Sequence, residues 1–339
     1  MLSARLKVSS AATEFIAVAH NTSPFVTAYP WSRFGFGTKF TNPATLPTGQ
    51  GYSVAFSPNR TAIAVAHDTS PFVTAYPWSI LGFGTKYANP STLPASTGQS
   101  VAFSPAGDAI AVAHAASPYI AAYPWSGSGF GTKYANPATP IPNSGFGVAF
   151  SPAGDAIAVA HGTSPFITAY SWSGSGFGTK FANPATLPAT TPFGIAFSPA
   201  GNAVAVAVAN APYVVAYQWS GSGFGTKFTD PATTPTGFGN GIAFSPAGNA
   251  IAVAHNTSPF VTAYPWSGSG FGTKFTNPAT LPAGSGAGVA FSVASNAIAV
   301  AHSTSPFITA YPWSGSGFGT KFTDPATTPT GSGVGVTFG

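Results

Sequence analysis

Tryptophan occurs seven times in this chain, at Trp31, Trp78, Trp125, Trp172, Trp219, Trp266 and Trp313, and every interval between them is 47 residues. Lys39, Lys86, Lys133, Lys180, Lys227, Lys274 and Lys321 keep the same step. So do His20, His67, His114, His161, His255 and His302, with Val208 in the remaining slot. The seven copies run without one insertion, so whatever a single copy folds into, the chain builds it seven times in register. A unit this short cannot bury both of its own faces. It needs a neighbour on each side, and the array then either stays open with capped ends or closes into a ring.

The second copy shows what the unit is. Ser53-Val-Ala-Phe-Ser57 reads as a short strand stopped by Ser57-Pro58-Asn59, where proline presets φ for a turn. From Ala62 to His67 the residues Ile63, Val65 and His67 alternate with three alanines. Both faces are apolar, so this strand is sandwiched, and the alanine side lets a neighbouring sheet come close. Asp68-Thr-Ser-Pro71 turns into a third strand, Phe72 to Tyr76. Pro77 has no N–H to give to a ladder, so regular pairing is expected to fail near Pro77-Trp78. Phe83 to Tyr87 reads as a fourth strand with Lys86 pointing outward, and a proline-rich connector leads on to the next copy. Four short strands repeated seven times predict an all-β fold, a closed seven-bladed β-propeller with four antiparallel strands per blade. Gly335 to Phe338 falls in the inner-strand slot, whereas the matching N-terminal slot near Lys7 to Ser10 lacks the phenylalanine. The C-terminal strand is therefore expected to complete the blade opened by Phe15 to His20, which removes the exposed edges of an open array. On this reading residues 1–10 are an N-terminal arm and residues 11–339 a single propeller.

Two resemblances attach to these residues. The run Val-Ala-Phe-Ser-Pro-Ala-Gly-Asp-Ala-Ile-Ala-Val-Ala, at 101–113 and again at 148–160, resembles the inner hairpin of WD40-type propeller repeats. The Gly-His pair, the turn Asp and the Trp-Asp dipeptide of those repeats are missing, and Tyr-Pro-Trp stands near the dipeptide's place. The cassette Tyr-Pro-Trp-Ser-Gly-Ser-Gly-Phe-Gly-Thr-Lys-Phe is similar to repeat proteins of tailed bacteriophages, a resemblance that implies a virion or tail component.

Composition narrows the function classes. Charged residues are only 5% of the chain at a net charge of +5, against about 25% in an ordinary soluble domain. Seven separated lysines do not make a nucleic-acid groove, which needs clustered cations against phosphates. There is no cysteine, hence no disulfide, thiolate metal site or cysteine nucleophile. The most apolar stretch, Ala203 to Tyr217, is interrupted by Asn210 and Pro212, so no membrane-spanning segment is expected. Ser9, Ser10, Thr13 and Glu14 interrupt the opening, so no signal peptide is expected either.

The repeated residues admit structural and functional readings. The histidines, one per blade, are too far apart to share an ion and read as structural groups bonded to the adjacent turn, so no metal and no cofactor is expected. The Trp series reads either as packing over the blade rim, with the indole N–H bonded to a turn, or as seven weak stacking sites for glycans strengthened by avidity. Each lysine reads as a guard against edge-to-edge pairing. Where later copies have Gly-Ser, the first has Arg33-Phe34 and the second Ile80-Leu81, a candidate interface. The six carboxylates, Glu14, Asp68, Asp108, Asp155, Asp230 and Asp324, are scattered and assemble no acid–base set, so the chain is expected to have no catalytic residues. The expectation is a non-enzymatic structural or binding module: a phage virion or tail surface protein, at the virion or extracellular surface. Its expected partners are other virion proteins or copies of itself, and possible host surface glycans, with no membrane insertion. The alternative expectation is a secreted lectin-like propeller.

Overall fold

Strands form here because helix formers are scarce and β-branched and aromatic residues recur between Gly/Pro turns. The computed structural model describes residues 14–339; the expected arm, residues 1–10, lies outside the described residues. The chain makes seven sheets of four antiparallel strands. In the second blade the inner strand Gly51–Phe56 pairs with Ala62–His67, which pairs with Val73–Ser79, which pairs with the outer strand Gly82–Phe83.

Closure is as expected. The C-terminal strand Gly333–Phe338 is the inner strand of the first blade and pairs with Glu14–His20, with Phe338 opposite Ile16 and Val336 opposite Val18. Phe15 and Gly339 exchange both backbone hydrogen bonds at 2.9 Å.

The two faces of the sandwiched strands do different work. Phe15, Ala17, Ala19 and Ala28 of the first blade pack against Val54, Ile63, Val65, Tyr76 and Trp78 of the second. The same small face against large face recurs around the ring and ends where Ala297, Ala299 and Ala301 of the last blade meet Ile16, Val18, Tyr29 and Trp31 of the first. Each blade is thus a wedge with a thin side and a thick side, a shape that closes only as a ring.

Pro77 acts as expected, but on one side of its strand. The pairing with Ala62 persists, while the ladder to the outer strand stops after the Trp78–Phe83 and Ser79–Gly82 rungs. Ser171 and Gln218 occupy the proline position in the fourth and fifth blades. There the outer strands lengthen to Gly176–Lys180 and Gly223–Lys227.

The six histidines are fully buried, and beside the expected backbone contacts to the turn, at Thr22, Thr69, Ala116, Thr163, Thr257 and Thr304, five of them have a side-chain partner. Nε2 of His20, His67, His161, His255 and His302 lies 2.9 Å from Oγ1 of a threonine on the neighbouring strand, Thr27, Thr74, Thr168, Thr262 and Thr309 respectively. In the third blade Ala121 replaces the threonine, and both ring nitrogens of His114 are left without a partner. In the fifth blade both members are replaced together, by Val208 and Val215. A polar pair has there become a fully apolar one, the substitution that leaves nothing unsatisfied.

Candidate functional site at the channel mouth

A chain of near-copies shows its special places where the copies differ. One column reads Tyr52, Gln99, Phe146, Phe193, Asn240, Ala287, Val334. Two positions earlier in each copy stand Gln50, Thr97, Ser144, Thr191, Phe238, Ser285 and Ser332. After each histidine slot come Asn21, Asp68, Ala115, Gly162, Ala209, Asn256 and Ser303. The fold brings these columns together. The backbone N–H of Asp68 donates to the carbonyl of Gln50, Asn21 to Ser332 and Asn256 to Phe238, each at 3.2 Å. The first column holds the second residue of each inner strand, so all three columns lie at the same end of the blades, and the first of them lines the central channel.

Below this mouth the channel holds a cavity of about 180 Å³ lined by residues of all seven inner strands, among them Tyr52, Gln99, Phe146, Phe193 and Asn240. It is smaller than the roughly 300–1,000 Å³ of a drug-sized pocket and admits one small ring. Its wall is uneven. Around most of it the position after the varying residue is glycine, and neighbouring strands come close enough that a Cβ on Gly241 would lie 2.8 Å from the Ala287 carbonyl. In the second and third blades that position is Ser53 and Ser100, whose Oγ atoms accept hydrogen bonds from the N–H of Val101 and Val148 on the next blade at 3.3 Å.

The mouth has a polar sector and an aromatic one. Tyr52, Asp68 and Gln99 belong to the second and third blades. Burial, and secondly the charge of Asp68, push the Tyr52 phenol above the usual tyrosine range, so it stays a hydrogen-bond donor at neutral pH. The Asp68 carboxylate accepts from Thr69 Oγ1 at 2.9 Å. Across the ring Phe193 packs on Phe146 with centroids 5.2 Å apart and on Phe238 at 5.1 Å. Beside them Asn240 Nδ2 donates to the Gly286 carbonyl at 2.8 Å. Asp68 is the one carboxylate in these three columns. Glu14 accepts from the Ala294 N–H and Asp108 and Asp155 from Ser104 and Ser151 at the opposite end, while Asp230 and Asp324 pair with Lys227 and Lys321 on the outer edge. Among the described residues no three His, Cys, Asp or Glu side chains gather as a metal set would.

The residues singled out from sequence lie elsewhere. Trp31, Trp78, Trp125, Trp172, Trp219, Trp266 and Trp313 are buried, with exposures of 4–7%. Each indole is boxed in by aromatic edges: Trp78 meets Phe83 at 5.0 Å, Phe56 at 5.1 Å and Phe40 of the preceding blade at 5.2 Å. Little indole surface is left for a sugar there; the burial half of the packing reading describes these residues, while the expected indole N–H bond to a turn is missing at Trp78. Phe34, Ile80 and Leu81 are exposed, at 78%, 73% and 85%, with the Arg33 guanidinium 4.7 Å from the Phe34 ring centroid. They occupy two hairpin tips at the end of the blades opposite the mouth.

No protein-family model matches the chain, and no curated protein is significantly similar to it in sequence. Solved structures do share its fold. A Bacteroides fragilis protein described as a candidate 6-phosphogluconolactonase superposes with a TM-score of 0.77 at 13% identity, over 98% of this chain and 99% of that one. A Lactobacillus plantarum protein gives 0.75 at 16% identity, over 96% and 99%. The periplasmic gluconolactonase of Pseudomonas aeruginosa gives 0.70 at 14% identity, over 96% and 99%. These likenesses establish the seven-bladed propeller, and they correct the functional expectation. Two of these three neighbours carry the names of lactone-hydrolysing enzymes, against a non-enzymatic virion or tail module and against a lectin, and the phage resemblance has no counterpart among the three. No described helix is long and apolar enough to cross a membrane.

Proposed function

We propose that the chain is a hydrolase of small lactones or esters acting at the channel mouth. Asp68 is the general base, and Tyr52, Gln99 and Asn240 bind the oxygens of the substrate. One observation carries this reading: copies that are otherwise alike diverge in three columns that meet at one end of the blades, and the divergence sets the one carboxylate of those columns where its charge acts on a half-buried phenol. The names of the structural neighbours support the reaction class. In the reaction the oxygen of water bonds to the acyl carbon and its proton passes to Asp68. The acyl–oxygen bond of the ring breaks, and the proton returns to the departing alkoxide. A neutral Tyr52 hydroxyl donates to the carbonyl oxygen, where negative charge develops.

Asp68→Asn tests the assignment cleanly, because Asn21 and Asn256 already stand at this position in other copies. General-base catalysis contributes about 10²–10⁴-fold. The variant is expected to lose about 100-fold or more in kcat on δ-valerolactone, followed by pH-stat titration, with an unchanged melting temperature. Undiminished turnover rules Asp68 out as the base.

A further inference from the structure

The aromatic sector is longer than one substrate ring needs. Phe146, Phe193 and Phe238 come from three consecutive blades, and their centroid separations of 5.2 and 5.1 Å make a continuous shelf of at most about 10 Å. A six-membered ring spans roughly half of that. All three side chains are half-buried, and Phe146 and Phe193 line the cavity. Tyr52 is the one titratable side chain that lines the cavity, and no lysine or arginine of the described residues does. A phosphorylated or carboxylated substrate would meet a carboxylate without a compensating cation, an arrangement that disfavours its binding.

Resting on the hydrolase reading above, we infer that the substrate is an uncharged lactone or ester carrying an apolar alkyl or aryl substituent. Its acyl group lies in the polar sector by Tyr52, Gln99 and Asp68, and its substituent lies along Phe146, Phe193 and Phe238. The shelf is a specificity element, because it touches the part of the substrate that does not react. Binding energy from that part raises kcat/KM for substrates that have it and does nothing for those that lack it.

Three probes separate the possibilities: δ-nonalactone, which carries an alkyl tail; δ-valerolactone, the bare ring; and 6-phosphoglucono-δ-lactone, which is charged. The expected kcat/KM is at least about tenfold higher for δ-nonalactone than for either of the others, since each buried methylene adds a few-fold. Phe193→Ala keeps the fold, because Ala287 holds the same repeat position. It is expected to lower kcat/KM for δ-nonalactone at least about fivefold more than for δ-valerolactone. Hydrolysis with equal or better use of the phosphorylated lactone, or an unchanged preference in Phe193→Ala, overturns the inference while the hydrolase reading stands. Calorimetric binding of δ-nonalactone that Phe193→Ala weakens, without turnover of any probe, supports the ligand class and refutes the hydrolase. Neither binding nor turnover of δ-nonalactone refutes both.

Discussion

The protein is expected to unfold in mild acid, between about pH 6 and pH 4, with a steepness set by its buried histidines. Desolvation lowers all six, His20, His67, His114, His161, His255 and His302, from 6.5 to about 4. The sign follows from linkage. Above pH 6.5 the imidazoles are neutral in both states and contribute no pH dependence. Between 6.5 and 4 the unfolded chain binds protons that the folded one does not, so stability falls as pH falls. One pKa unit corresponds to about 1.4 kcal/mol, so a single histidine accounts for roughly 3 kcal/mol across the window. A few such terms match the whole 5–15 kcal/mol of a typical domain. Urea denaturation at pH 7.5, 6, 5 and 4.5 measures the slope. The pair His161→Val with Thr168→Val, copying Val208 and Val215, is expected to reduce the proton uptake on unfolding by one. A stability flat from pH 7.5 to 4.5 contradicts the assignment.

Deleting residues 333–339 is expected to have the largest effect on the fold. The segment supplies a whole inner strand, including Phe338, whose ring meets Trp31 at 5.2 Å, and the two backbone bonds between Phe15 and Gly339. Loss of one buried phenylalanine side chain costs about 3–5 kcal/mol. Here the ring also opens, exposing the edge of Glu14–His20 and the inner strands on either side of the gap. The truncated protein is expected to melt at least about 15 °C lower in a calorimetric scan and to associate at its new edge. An unchanged melt contradicts closure by this strand.

Most of the fold was legible in the sequence because a strict period repeats each piece of evidence seven times. The alternation of Ile63, Val65 and His67 with alanine stated both faces of a sandwiched strand, and the position of Phe338 stated how the ring shuts. Pro77 was read as ending regular pairing, and its two exceptions, Ser171 and Gln218, bear that out on the outer edge.

The site was much less legible. Whether an indole is exposed depends on residues that periodicity leaves unconnected: the box around Trp78 draws Phe83 and Phe56 from two strands of its own blade and Phe40 from the blade before. Attention to breaks in the repeat led to Arg33-Phe34 and Ile80-Leu81, which change sharply in two copies but sit on hairpin tips at the far end from the mouth. The columns of Tyr52, Gln50 and Asp68 vary more continuously, from one copy to the next. That they surround one opening is a fact of topology, since Asp68 and Gln50 lie eighteen residues apart and meet only through the pairing of the inner strand with its neighbour. Scattered carboxylates in the sequence gave no hint that Asp68 would come within reach of the Tyr52 phenol.

Function placed at the mouth is tested most directly by making the mouth as bland as the repeat itself allows. Tyr52→Val, Gln99→Val, Asn240→Ala and Asp68→Ala, combined in one variant, use only residues already found in the same columns at Val334, Ala287 and Ala115. The measurement is the initial rate of δ-valerolactone hydrolysis beside the melting temperature. The expected result is a rate reduced to the uncatalysed background with the melting temperature within a few degrees of the parent; a rate equal to the parent's would contradict the placement.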